Sequence, residues 1–218
     1  MTADFNYTYA KPQIIMEKDG SLRQDWIPSV LEDTCNGIRE VLLRTKHFTD
    51  RRIFINGEIS DNTANDLVSE MIYLAKEDAP IDICINSPGG SVNAGLVIYD
   101  LIQSLEGKLM INMYCTGMAA SMAALILAGG QKGHRFILPH SKVMIHEPLI
   151  SGGVGGSASS IKKTADSILE TKALSNSILA KHCGKSIEEI DTATSYDNYM
   201  NATEAIEFGI CDEIKSII

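Results

Sequence analysis

From Arg52 onward, short runs of β-branched and apolar residues alternate with segments of helical periodicity. That alternation constrains the fold more than any other feature. Strands separated by helices are joined by crossovers rather than tight hairpins, and so pair mostly in parallel. Residues 52–56, 81–86 and 109–115 read as strands, followed by 134–138 and 142–146, which are linked through Pro139. Between them, Leu67, Met71, Ile72 and Ala75 share one helical face after the capping pattern Thr63-x-x-Asp66. Residues 92–105 form the next helix, with Leu96, Tyr99 and Ile102 on one side. Residues 119–128 read as a small-residue helix that begins after a break at Gly117 and stops at Gly129-Gly130, and residues 157–182 as a long helix. Ser186-x-x-Glu189 and Asn201-x-x-Glu204 open two short terminal helices. The expected class is α/β. Ahead of this pattern, residues 1–30 look irregular, while Ile38, Val41, Leu42 and Thr45 recur at helical spacing within 31–48.

A chain of 218 residues buries enough surface to need no covalent staple. Its formal net charge of −9 repels phosphate backbones, and 6% aromatic content supplies few stacking platforms, which excludes nucleic acid as a partner. Five scattered cysteines with no Cys-x-x-Cys pair fit neither a disulfide framework nor a zinc ribbon. Cys84 and Cys115 lie in apolar runs and read as small buried hydrophobes. Asp4, Lys11, Glu17, Lys18 and Asp19 leave no apolar core of signal-peptide length in the first twenty residues. The weakly polar stretch 118–130 is too short to cross a bilayer. The chain is expected to be cytoplasmic and soluble, with no cofactor, no metal and no membrane partner.

Two strand-to-helix junctions stand out as places where chemistry can be built. Asn86-Ser87-Pro88-Gly89-Gly90 ends one strand, and its glycines let the backbone approach a reacting group and present N–H donors. Thr116-Gly117-Met118-Ala119-Ala120-Ser121-Met122 forms the other, with Ser121 expected in the first turn of a helix, where N–H groups can meet an oxyanion. It is not the Gly-x-Ser-x-Gly elbow, because Ala119 and Ala123 hold the glycine positions. A serine nucleophile needs a general base. His146, at the end of an apolar strand and just before Pro148, is the best placed of five histidines. His47 and His182 fall on polar helix faces, and His134 and His140 flank a strand as ordinary surface groups. Spacing alone does not choose the carboxylate that would orient the base. The glycine-rich loop 151–156 lacks Gly-Lys-[Ser/Thr], which excludes a nucleotide P-loop.

Together these segments resemble the proteolytic subunit of the Clp protease. The matching stretches are Phe54-Ile55-Asn56-Gly57-Glu58-Ile59, the run from Ile85 through Gly89-Gly90 to Asp100, Cys115-Thr116-Gly117-Met118-Ala119-Ala120-Ser121-Met122, the run from Leu138 through His146 to Leu149, and Tyr196-Asp197-Asn198-Tyr199-Met200-Asn201-Ala202, continuing to Asp212. The resemblance covers about residues 50–215. It implies Ser121 as nucleophile, His146 as base and Asp197 as orienting acid, preferred to Asp191 by the pattern after it. It implies the backbone N–H groups of Gly90 and Met122 as oxyanion donors. It further implies a crotonase-like fold of repeated strand-strand-helix units, a peptidase domain over 51–218, and a projecting handle over about 150–184. Heptameric rings stacked as a tetradecamer, an enclosed chamber and an AAA+ unfoldase that feeds it follow from the same resemblance.

The sequence also departs from that family. Residues 1–50 match poorly, and 28–41 look like an insertion. Glu147 stands where the family commonly has glutamine, which puts a carboxylate next to the base. The loop at 152–156 is about two residues longer than the family's. Ser195-Tyr196 replaces an acid–arginine pair that links ring stacking to activity in many members. The alternative function is a silent structural subunit of a mixed ring, for which an intact Ser121, His146 and Asp197 set has no chemical need.

Overall fold

The structure is a computed structural model that describes residues 7–9, 13–16, 22–25, 28–35, 37–150 and 152–216. The chain divides into two compact units, Met1–Arg52 and Ile53–Ile218.

The first unit contradicts both expectations for its stretch. Residues 1–30 are not irregular throughout. Strands β1 (Tyr7–Tyr9), β2 (Gln13–Met16) and β3 (Leu22–Asp25) lie within them, and β2 pairs β3 in antiparallel register. Residues 28–30 open the next strand, and the rest of that stretch lies outside the described residues. The helix expected over 31–48 is instead a hairpin of β4 (Pro28–Thr34) and β5 (Gly37–Leu42), followed by the short helix α1 (Leu43–Thr49). The hairpin registers Thr34 with Gly37, and the Thr34 hydroxyl donates to the Gly37 carbonyl at 2.7 Å. Asn36-Gly37 in the sequence is a hairpin turn signal, and it outweighs an apolar spacing that suits either period. β1 joins the other edge of β4, which gives a sheet of order β1-β4-β5.

The second unit follows the predicted alternation. Its main sheet takes β6 (Arg52–Asn56), β7 (Ile81–Ser87), β8 (Ile111–Ala120), β10 (Lys142–Ile145) and β11 (Asn198–Met200) in the order β11-β10-β8-β7-β6. β9 (Arg135–Ile137) pairs β8, and β12 (Glu213–Ile214) pairs β9. The β7–β8, β8–β10, β8–β9 and β9–β12 ladders are parallel, while β10–β11 is antiparallel. The central strands bury one continuous apolar face: Ile81, Ile83 and Ile85 of β7 lie beside Ile111, Met113 and Cys115 of β8, and all are 0% exposed.

Helices α2 (Asp61–Leu74), α3 (Val92–Leu105) and α4 (Met122–Ala128) pack in succession, and α5 (Ala158–Cys183) meets α4 and α6 (Ile187–Thr194). α2 is capped by Ser60, whose hydroxyl accepts from the Thr63 N–H at 3.3 Å, so the cap lies three residues ahead of the expected Thr63. Both terminal capping boxes form as read, at Ser186 for α6 and at Asn201 for α7 (Ala202–Phe208). α4 is buried at every position, which the run of alanines permits at close approach. Among the described residues no helix is long and apolar enough to cross a membrane.

Two histidines expected at the surface are engaged instead. His182 Nε2 lies 2.9 Å from the Tyr99 hydroxyl, and burial lowers its pKa. His134 Nδ1 lies 2.9 Å from Asn112 Oδ1.

Candidate active site

β8 does not stop at Gly117, and Ser121 is not inside a helix. The strand runs on to Ala120, pairing Met118, Ala119 and Ala120 with Lys142, Val143 and Met144 of β10. A bulge makes this extension fit against β7, since Ile85 pairs Cys115 but Ser87 pairs Ala119. Gly117 sits inside the bulge because a Cβ there would lie 2.5 Å from Asn86 Oδ1, which accepts the Met118 N–H at 3.1 Å.

Ser121 is the residue between β8 and α4. Its φ of +55° and ψ of −123° are costly for a side chain with a Cβ, roughly 1–3 kcal/mol. Surroundings hold the strain: the Ser121 N–H donates to the Met144 carbonyl at 2.8 Å, and its own carbonyl accepts from Ala124 and Leu125. The turn aims Oγ away from both elements and toward the end of β10.

Strand register delivers the partners. β10 pairs Ile145 with Asn198 of β11, so the next residue of each strand path, His146 and Asp197, falls opposite the other. His146 Nε2 lies 2.9 Å from Ser121 Oγ, and His146 Nδ1 lies 3.1 Å from Asp197 Oδ1. Three neighbouring strand ends thus supply a serine, a histidine and an aspartate in one hydrogen-bonded line. Spacing alone had left the carboxylate open. Asp191 is not in this line, because its Oδ1 meets Lys172 at 2.8 Å and Asn176 Nδ2 at 3.2 Å.

The other junction lies against the same serine. Gly89 has φ of +91°, and a Cβ on it would stand 2.7 Å from Ser121 Cβ and 3.0 Å from the Met122 nitrogen. Gly90 has φ of +152°, and a Cβ there would stand 2.2 Å from the Ile59 carbonyl oxygen. Ile59 clamps the turn by donating to the Gly89 carbonyl and accepting from the Ser91 N–H, both at 2.8 Å. That bridge leaves the Gly90 N–H outside the ladder. The Met122 N–H is the first of α4, one of the donors that helix geometry leaves without an intrahelical partner. The glycine turn and the first N–H of α4 therefore lie against the same serine.

This constellation can perform acyl transfer. The comparison with known families bears on which kind, since the Clp protease family model matches residues 36–217. The chain belongs to the Clp protease family. The match includes Ser121, His146 and Asp197, both oxyanion-donor candidates, and the β5 strand within the atypical amino-terminal stretch. The mixed α/β architecture agrees with the fold expected from that family.

Next to His146, one departure from the family has a structural consequence. Glu147 turns to α5, where its Oε2 meets Lys172 Nζ at 2.9 Å, and the same ammonium pairs with Asp191 of α6. Hydrogen bonds donated by Lys172 to Asp191 and then Glu147 raise its pKa, so the ammonium keeps its charge through neutral pH. The Glu147 N–H also donates to the Thr194 carbonyl at 2.8 Å. Glu147 is thus neutralised by Lys172 rather than left as a lone charge beside His146. Because both side chains are partly exposed, Glu147→Gln is expected to alter peptide cleavage by no more than about fivefold. Steady-state rates on a fluorogenic peptide check this, and a larger change would mean that the carboxylate acts on the base.

Among the described residues no cluster of three or more His, Cys, Asp or Glu is arranged to hold a metal ion. Cys115 and Cys211 are buried, and desolvation pushes the Cys115 thiol up to about 11 and Cys211 higher still, so neither supplies a thiolate nucleophile.

Proposed function

We propose that the protein is a serine endopeptidase subunit of a self-compartmentalising protease, with Ser121 as nucleophile, His146 as general base and Asp197 as the acid that orients it. The observation that carries this reading is the continuous Ser121–His146–Asp197 hydrogen-bonded line. In the first step His146 Nε2 takes the proton of Ser121 Oγ as that oxygen attacks the scissile carbonyl. Asp197 fixes the tautomer that leaves Nε2 free to accept and stabilises the imidazolium that results. The N–H groups of Gly90 and Met122 meet the tetrahedral oxyanion, and one such donor is worth about 3 kcal/mol. The imidazolium then protonates the leaving amine, and water repeats the sequence on the acyl-enzyme.

Substrate has room beside this line. A groove of about 540 Å³ runs from Ser91 and Asn93, just after Gly90, to Leu149 and Ile150, just after His146, with Ile168 of α5 along it. Labelling with a fluorophosphonate tests the reading: wild type is expected to react at Ser121, alone or with a partner ring. Labelling absent under both conditions would favour a silent subunit of a mixed ring instead.

The family resemblance supports heptameric rings stacked as a tetradecamer, fed by an AAA+ unfoldase. Tyr196 replaces the arginine of the ring-linking pair and is 86% exposed, while the Ser195 hydroxyl donates back to the Asp191 carbonyl at 2.7 Å. One charge-assisted link of ~1.5–3 kcal/mol per subunit is missing. Salt or dilution is therefore expected to yield single heptamers of lowered activity, and Tyr196→Arg with Ser195→Asp to shift native mass toward the tetradecamer. A fully active tetradecamer at high dilution, unaltered by the double substitution, would show that other contacts hold the rings together.

A further inference from the structure

Ser87 has no part in the reaction as written, yet it is a buried hydroxyl, 1% exposed, beside the glycine turn. It sits at the last position of β7, paired with Ala119 across the bulge. Its Oγ accepts the Gly89 N–H at 3.1 Å within the buried interior. We propose that Ser87 is a positioning residue that sets the direction of the Gly90 N–H toward the oxyanion. This inference rests on the reading of Gly90 as an oxyanion donor.

The argument follows from peptide planarity. The Gly89 carbonyl and the Gly90 N–H belong to one planar trans unit and point in opposite directions. Ile59 holds that carbonyl through its own N–H at 2.8 Å, so the Gly90 N–H points away from Ile59. Rotation of this plane is governed by the torsions of Gly89, which as glycine has the widest freedom of any residue. Two anchors remove that freedom. Ile59 fixes the unit after Gly89, and Ser87 fixes the unit before it. Gly89 also lies hard against Ser121, where a Cβ would stand 2.7 Å from the serine Cβ. An error in the turn is therefore passed directly to the distance between oxyanion and donor. The Gly89 N–H donates to this side-chain oxygen at the point where β7 ends, so the hydroxyl takes the place that a ladder carbonyl holds within the strand.

Substitution of Ser87 separates this role from simple space filling. Ser87→Ala removes the acceptor and leaves a small gap, whereas Ser87→Cys fills the volume with a poor acceptor. Both variants, assembled as the full-length protein, are expected to lose about tenfold in kcat on a fluorogenic peptide with KM within twofold. The affinity of a peptide boronic acid, which forms a tetrahedral adduct on the serine, should fall by the same factor. Full recovery by Ser87→Cys would assign the residue to packing and overturn the proposal, as would a kcat within twofold of wild type in Ser87→Ala. A rise in KM alone would overturn it too, because a misaimed donor acts in the transition state. Ser121→Ala in the same assay keeps the two readings apart. Wild-type cleavage that does not depend on Ser121 would sink the peptidase reading, and this inference with it. Cleavage that depends on Ser121 but not on Ser87 would sink this inference alone.

Discussion

Ser121→Ala is expected to reduce peptide cleavage by about four to six powers of ten, while the fold and the assembly stay intact. The magnitude follows from what the hydroxyl does. His146 and Asp197 act as a unit on one oxygen, and without it they have nothing to activate, so the loss approaches that of deleting the whole set. What remains is the catalysis supplied by the oxyanion donors and by binding. Alanine fits the local backbone no worse than serine, because the strained φ of +55° penalises any Cβ equally. The Ser121 hydroxyl accepts no capping N–H from α4 either, so helix stability has nothing to lose. Initial rates and native mass on matched preparations check both halves. Activity within about tenfold of wild type would end the assignment of Ser121 as nucleophile.

Much of this site was legible because its parts are local. The glycine turn and the Ser121 junction each announce themselves within seven residues, as an abrupt change from apolar strand to glycine or small residues. α3 was legible at both ends, since Val92 to Leu105 keeps a helical apolar face and a break falls on either side. The same holds for the two capping boxes, whose signal spans four residues and whose bonds form as read. Asp197 was different. Only the family resemblance singled it out, because its placement depends on an antiparallel pairing of the three-residue strand β11 with β10. Three residues are too few to show a period, and a register across fifty residues of intervening chain leaves no local trace. The β4–β5 hairpin was misread for a related reason. Ile38, Val41 and Leu42 satisfy a helical spacing, and only the turn residues between the strands break the tie. The end of β8 was misread because glycine usually interrupts a strand, whereas Gly117 is there to admit the Asn86 side chain.

The largest expected effect on stability lies behind Ser121 rather than at it. Arg135 of β9 is 1% exposed, and its guanidinium donates to both Asp212 oxygens, Nη2 to Oδ1 at 2.6 Å and Nε to Oδ2 at 2.9 Å. Its Nη1 reaches the carbonyls of Ala128 at 3.1 Å and His182 at 3.3 Å, which are near the ends of α4 and α5. The same carboxylate accepts the Gly133 and Arg135 N–H groups. Asp212→Ala leaves a buried cation without its counter-charge and two N–H groups without an acceptor. Breaking a buried pair from one side costs 3–5 kcal/mol as a rule, and the 11% exposure of Asp212 argues for about 3 kcal/mol here. For a chain of this size that lowers Tm by about 6–12 °C at fixed subunit concentration.

The pH dependence has a defined sign. Burial alone would raise the Asp212 pKa, but the hydrogen bonds and charge of Arg135 outweigh it and hold the carboxyl below its ordinary value. A depressed folded-state pKa means that the pair contributes its full stability above the unfolded value of about 3.9, and loses it as pH falls through the folded value. Wild type is therefore expected to lose its advantage over Asp212→Ala only in acid below about pH 4. Arg135→Met combined with Asp212→Leu supplies the control, because removing both charges avoids the stranded cation. It should recover at least half of the lost Tm, short of wild type because the Ala128 and His182 carbonyls lose their donor. A single Asp212→Ala variant that melts within about 2 °C of wild type would show that water reaches the guanidinium and that the pair does not anchor α4, the helix that begins at Ser121.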